Sequence, residues 1–128
     1  MKKDKKTQKN LGIWMDHSTA NLIDLKSKKR SYSISLDRTS NINDDGLIKS
    51  ERGIHNRKQE LQEAYYKEIA EVILKYNHVL LFGPTDAKMT LFNYLINDFH
   101  FKDIKIDVEV VDKMTENQQV AFVKNFFE

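Results

Sequence analysis

The stretch L80-LFGPTDAKMTLFNYL-95 sets a lysine, Lys88, in the first turn of a helix that opens directly behind a Gly83-Pro84 turn. The amino end of a helix carries unpaired amides and a partial positive charge, so a cation there costs roughly 0.3–1 kcal/mol. An anion held jointly by the amides of Thr85 to Lys88 and by the lysine itself removes the conflict, which is how phosphates are bound at strand-to-helix turns. Gly83, Pro84, Thr85 and Lys88 therefore form a first candidate site, for a phosphate-type anion. Lys49, Arg52, His55, Arg57 and Lys58, long donors crowded around Gly53 in a polar stretch, form a second.

Other groupings are weaker. Asp16, His17 and Ser18 are adjacent, but neighbours in extended chain point to opposite sides and do not converge as a catalytic triad must. Asp16, Asp24 and Asp86 have the residue type for a two-metal nuclease, provided that all three reach one cleft. With no cysteine and four histidines (His17, His55, His78, His100) out of ligand spacing, neither a disulfide nor a structural zinc site is expected. No metal and no cofactor is expected.

A chain of 128 residues, 40% hydrophobic and 31% charged, suits one globular domain with one real core. The first ten residues, MKKDKKTQKN, are read as a basic, disordered tail, and 11–128 as the domain. The tail lacks the apolar segment of a signal peptide and no apolar run is long enough to span a membrane, so a cytoplasmic protein is expected. The net charge of +2 is below that of a dedicated nucleic-acid binder, but the basic residues are clustered, in the tail and at Lys26, Lys28, Lys29 and Arg30.

The elements that must hold these residues follow from periodicity. L11-GIWMD-16 and T19-ANLIDL-25, separated by DHST, read as a tight hairpin, and S31-YSISL-36 as a third strand with one wet side. Residues 37–56 are polar and without period, hence a long loop. Leu61, Tyr65, Ile69, Val72, Ile73 and Tyr76 recur at helical spacing over Arg57 to Tyr76. H78-VLLF-82 lacks polar alternation, as a central strand covered on both faces does. A helix over Thr85 to Phe99 is expected to bury Leu91, Phe92, Leu95 and Phe99. D103-IKIDVEVV-111 returns to period two as an edge strand, and T115-ENQ-118 is a capping box opening a last helix through Val120, Val123 and Phe127. The order β-β-β-α-β-α-β-α predicts an α/β fold: a five-stranded mixed sheet flanked by helices, the order of the ribonuclease H-like fold.

The strand G12-IWMDHSTANLIDL-25, the block V79-LLFGPTDAKMTLFNYL-95 and V108-EVVDKMTENQQVAFV-123 resemble the middle domain of the archaeal and eukaryotic peptide-chain release factor and Pelota superfamily. The chain is similar in particular to short, single-domain bacterial relatives of the translational machinery, over residues 11 to 127. The resemblance places Gly83, Pro84 and Lys88 on a recurrent G-P-x-x-x-K turn, and implies that the loop before the long helix reaches ribosomal or transfer RNA. Release factors carry a Gly-Gly-Gln tip in that loop; here Gly46 and Gly53 stand apart and no such tip occurs. The expectation is a non-catalytic, release-factor-like protein that associates with the ribosome or tRNA in rescue, hibernation or stress. Its RNA phosphate contacts are Gly83, Pro84, Thr85, Lys88, Lys49, Arg52, His55, Arg57 and Lys58, with Lys88 exposed. The competing expectations are a metal-dependent nuclease or residual esterase, and a module that meets a protein partner through the edge strand 103–111.

Overall fold

In a computed structural model of the chain, residues 8–27, 31–36 and 51–128 are described, residues 51–58 by their backbone alone. Strands β1 (Asn10–Met15), β2 (Thr19–Ile23) and β3 (Ser31–Ser35) are followed by helix α1 (Glu51–Ile73), strand β4 (His78–Gly83), helix α2 (Ala87–Ile96), a 3-10 turn (Phe99–Phe101), strand β5 (Lys105–Val110) and helix α3 (Glu116–Phe127). The strands form one sheet in the order β3-β2-β1-β4-β5, in which β1 pairs antiparallel with β2 and parallel with β4. This is the mixed α/β sheet and ribonuclease H-like order that the periodicities predict.

Alternation on β1 divides the core. Leu11, Ile13 and Met15 face α1 and α2, where Tyr65, Ile69, Ile73, Leu91 and Leu95 are fully buried against them. Gly12 and Trp14 face α3, with Leu80, Phe82 and Val123. A side chain at Gly12 would place its Cβ 2.3 Å from Val123 Cγ2, so the missing side chain is what lets α3 lie close on the sheet. The far end of α3 docks on β4, with the Phe127 ring edge-on to His78 at 5.0 Å. Its near end is capped as expected: Gln118 N–H donates to Thr115 Oγ1, and Thr115 N–H to Gln118 Oε1.

Three expectations are corrected. Helix α1 begins at Glu51, not Arg57, and ends at Ile73, so residues 51–56 are helical rather than loop. Its first turn and a half holds Gly53, His55 and Asn56, poor helix formers, and no apolar stripe, so neither propensity nor period marks it as helix. The helix expected over Thr85 to Phe99 stops at Ile96, and a 3-10 turn capped by the Asp98 side chain follows. This break rotates the pattern, so Phe99 is 73% exposed and Phe101 takes the inner place. The face expected of β5 holds for Ile106 and Val108, but Val110 lies beyond the cover of α2 and is 79% exposed. No described helix is long and apolar enough to cross a membrane.

Candidate functional site

The carboxyl ends of the parallel neighbours β1 and β4 lie side by side, and chain reversals follow both. In open α/β sheets this is where ligands are held. Behind β1, Asp16 accepts from the Ser18 and Thr19 amides through Oδ1, at 2.9 and 2.8 Å, which closes the tight turn into β2. Behind β4, Gly83 has φ +153° and its missing Cβ would stand 2.2 Å from the Met15 carbonyl oxygen. That close approach holds the two turns together, and only glycine permits it.

Helix α1 crosses this end of the sheet and ties the turns down. Tyr65, fully buried, donates its hydroxyl to the Asp16 carbonyl at 3.0 Å, and Gln62 Nε2 donates to the His17 carbonyl at 3.1 Å. Burial foremost, with the nearby Asp16 charge, pushes the Tyr65 phenol far above its ordinary pKa, so it stays a neutral donor. Tyr66 lies toward α2, near the side chains of Gln62 and Thr90, and its pKa is also raised, foremost by burial. On the outer surface the His17 ring stands 3.4 Å from the carboxylate of Asp86, both well exposed.

Lys88 corrects the expectation of exposure: it is 2% exposed. Its ammonium turns back to donate to the Thr85 carbonyl, and among the described residues no carboxylate pairs with it. The placement follows from helical spacing, because Lys88, Leu91 and Leu95 share one stripe at i, i+3 and i+7, and that stripe packs on the sheet. The general rarity of buried lysines hid a position that the stripe marks as inside. Thr85 serves the turn as well, its hydroxyl accepting from the Ala87 amide at 3.2 Å.

The second candidate set is divided. Arg52, His55, Arg57 and Lys58 stand on the first two turns of α1, not in a loop. Because Gln62 and Tyr65 already touch the turn behind β1, the eleven residues from Glu51 to Leu61 run on past the sheet, by roughly 16 Å at 1.5 Å per residue. Lys49 lies outside the described residues, as do Lys28, Lys29, Arg30 and all of the basic tail before Gln8.

The three carboxylates of a nuclease do not assemble. In the β1–β2 register Met15 faces Ala20 and Gly12 faces Ile23, so Asp16 and Asp24 lie at opposite ends of the hairpin, roughly 15 Å apart along the strands. Asp24 is occupied there, accepting from the Tyr76 hydroxyl at 2.7 Å and from the Lys26 amide at 3.0 Å. Sequence reasoning missed Gln62, Tyr66 and Thr90 as parts of the candidate site. Tyr66 follows Tyr65 off the apolar stripe, and only the position of α2 brings Thr90 near it.

No family model matches the sequence, and no curated protein matches it. Among solved structures, an exopolyphosphatase from Cytophaga hutchinsonii aligns with 82% of this chain and 34% of its own, at 18% identity and a TM-score of 0.34. The crystal structure of Pelota from Archaeoglobus fulgidus aligns with 91% of this chain at a TM-score of 0.55 and 10% identity. The chain spans 31% of that Pelota chain, and the likeness is one of fold.

Proposed function

We propose that this chain is a non-catalytic, release-factor-like protein that associates with the ribosome or with tRNA, in a rescue, hibernation or stress role. The observation that supports the reading most is the fold shared with Pelota over 91% of the chain. Helix α1, running on past the sheet, carries Arg52, His55, Arg57 and Lys58 outward, and Lys49 stands two residues before it. These residues are the contacts to RNA phosphates. The Gly83–Lys88 turn enters through its backbone, with Lys88 holding its shape from inside.

The test is co-sedimentation with ribosomes across a salt series. Replacing Arg52, His55, Arg57 and Lys58 together by alanine is expected to leave the thermal transition nearly unchanged while removing most of the binding. If three or four phosphates are neutralised, raising salt from about 50 to 200 mM weakens the wild type by about 20- to 100-fold, and the variant much less. Peptide release from tRNA stays at background, for want of a Gly-Gly-Gln tip. Full binding by the four-site variant would refute the RNA contact assigned to α1.

A further inference from the structure

The edge of the sheet at β5 carries a self-complementary pattern that the translational reading does not use. Lys105 N–H donates to Asn77 O and Val111 N–H to Gly83 O, so odd-numbered residues turn their backbone groups toward β4. The amides and carbonyls of Ile106, Val108 and Val110 therefore point outward, where β5 is the last strand of the sheet among the described residues. Edge strands are usually blunted by charged side chains, by proline or by a bulge. Here no proline interrupts the strand and its register with β4 is unbroken, while the charged face carries both signs, Lys105 at one end and Asp107 and Glu109 after it; Ile106, Val108 and Val110 form the other face.

From this we infer that β5 pairs antiparallel with β5 of a second copy of this chain, making one sheet of ten strands. Residues opposite one another must point to the same face, so only registers that pair odd with odd and even with even are open. Centring the two-fold axis on Asp107 sets Lys105 against Glu109 of the second copy, twice, and sets Ile106 against Val108. Moving the axis to Val108 sets Asp107 against Glu109 twice, and moving it to Ile106 sets Lys105 against Asp107 twice but Asp103 against Glu109 twice, which cancels the attraction. In the Asp107-centred register the two Asp107 side chains face each other, each already bound by His78 of its own chain at 2.6 Å. Beside the edge, Ile96, Ile104 and Ile106 line a groove between α2 and β5, and Ile96 is 58% exposed. The pairing brings the grooves of the two copies to the same face of the joined sheet, adding apolar contact to the strand ladder.

The experiment is sedimentation equilibrium of the full chain and of two exposed-site variants, Lys105→Glu and Glu109→Lys. Each reversal puts two like-charge pairs across the axis, and self-association is expected to weaken by about 10- to 100-fold. Circular dichroism and melting should match the wild type, since both side chains are exposed. Mixing the two variants restores opposite charges at both pairs, so the mixture is expected to dimerise where neither variant does alone. A wild type that stays monomeric at every soluble concentration, a dimer indifferent to both reversals, or variants that fail to combine on mixing would each overturn the inference.

Discussion

Gly83→Ala is expected to be among the most damaging single-methyl changes in this protein. Two costs add at that position. The backbone φ of +153° is one that side chains disfavour, and the new Cβ would stand 2.2 Å from the Met15 carbonyl oxygen, a backbone atom that cannot swing aside. Strain of this kind costs about 1–3 kcal/mol by itself, and the clash forces β1 and β4 apart where Tyr65 and Gln62 are anchored. A loss of at least about 3 kcal/mol lowers the melting temperature of a domain this size by about 10 °C or more. Urea unfolding with an unchanged slope and a lowered midpoint is the expected signature. A melting temperature within about 2 °C of wild type would show that the two strand ends are less tightly joined than the geometry says.

Lys88 supplies the second large effect, through contrasting substitutions. Methionine keeps the buried stem and removes the charge, and a buried charge without an opposite partner contributes little net stability, so Lys88→Met should be neutral to stabilising, within about 1 kcal/mol. Glutamate at the same place gains roughly 0.3–1 kcal/mol from the helix amino end. Against that, it sets a buried carboxylate beside the Thr85 carbonyl, an acceptor against an acceptor, for about 3–5 kcal/mol. Burial wins, and Lys88→Glu should unfold well below the wild type. Ribosome co-sedimentation of Lys88→Met then separates two roles for the lysine. Retained binding fits a side chain that shapes the Gly83–Lys88 turn, whereas lost binding at unchanged stability would mean that the ammonium leaves Thr85 to meet a phosphate.

What the sequence discloses is what repeats. The strands β3 and β5, the unbroken apolar run of β4 and the capping box at Thr115 each follow a period or a fixed spacing, and each stands where expected, although Tyr32 and Val110, on faces expected to be inner, are exposed. The start of α1 was hidden because residues 51–60 lie beyond the sheet and have no apolar stripe to announce a helix. The break after Ile96 rests on one asparagine and the Asp98 cap, a local event that a fifteen-residue periodic window averages away. The candidate site was half visible. Gly83 and Lys88 drew attention by their types, yet the work each does depends on partners far along the chain, Met15 for one and the stripe through Leu95 for the other. Gln62, Tyr66 and Thr90 had no signal at all, because ordinary polar residues become a site only when two helices are brought together.

The placement of β1 in the sheet also governs how quickly the molecule can be assembled. One neighbour, β2, is joined to it by three residues, Asp16 to Ser18; the other, β4, begins where the Lys9 amide meets the Asn77 side chain, 68 residues further on. A hairpin closes in microseconds, whereas a parallel partner so remote must wait for the intervening chain to be gathered in, a search that places such topologies among the millisecond-to-second folders. During that wait β1 offers an unpaired rim of amides and carbonyls at what will be the heart of the molecule. The order of assembly is thus set by connectivity: the hairpin and its Asp16 turn act as the template, and α1 is the tether that shortens the search by delivering β4 to it.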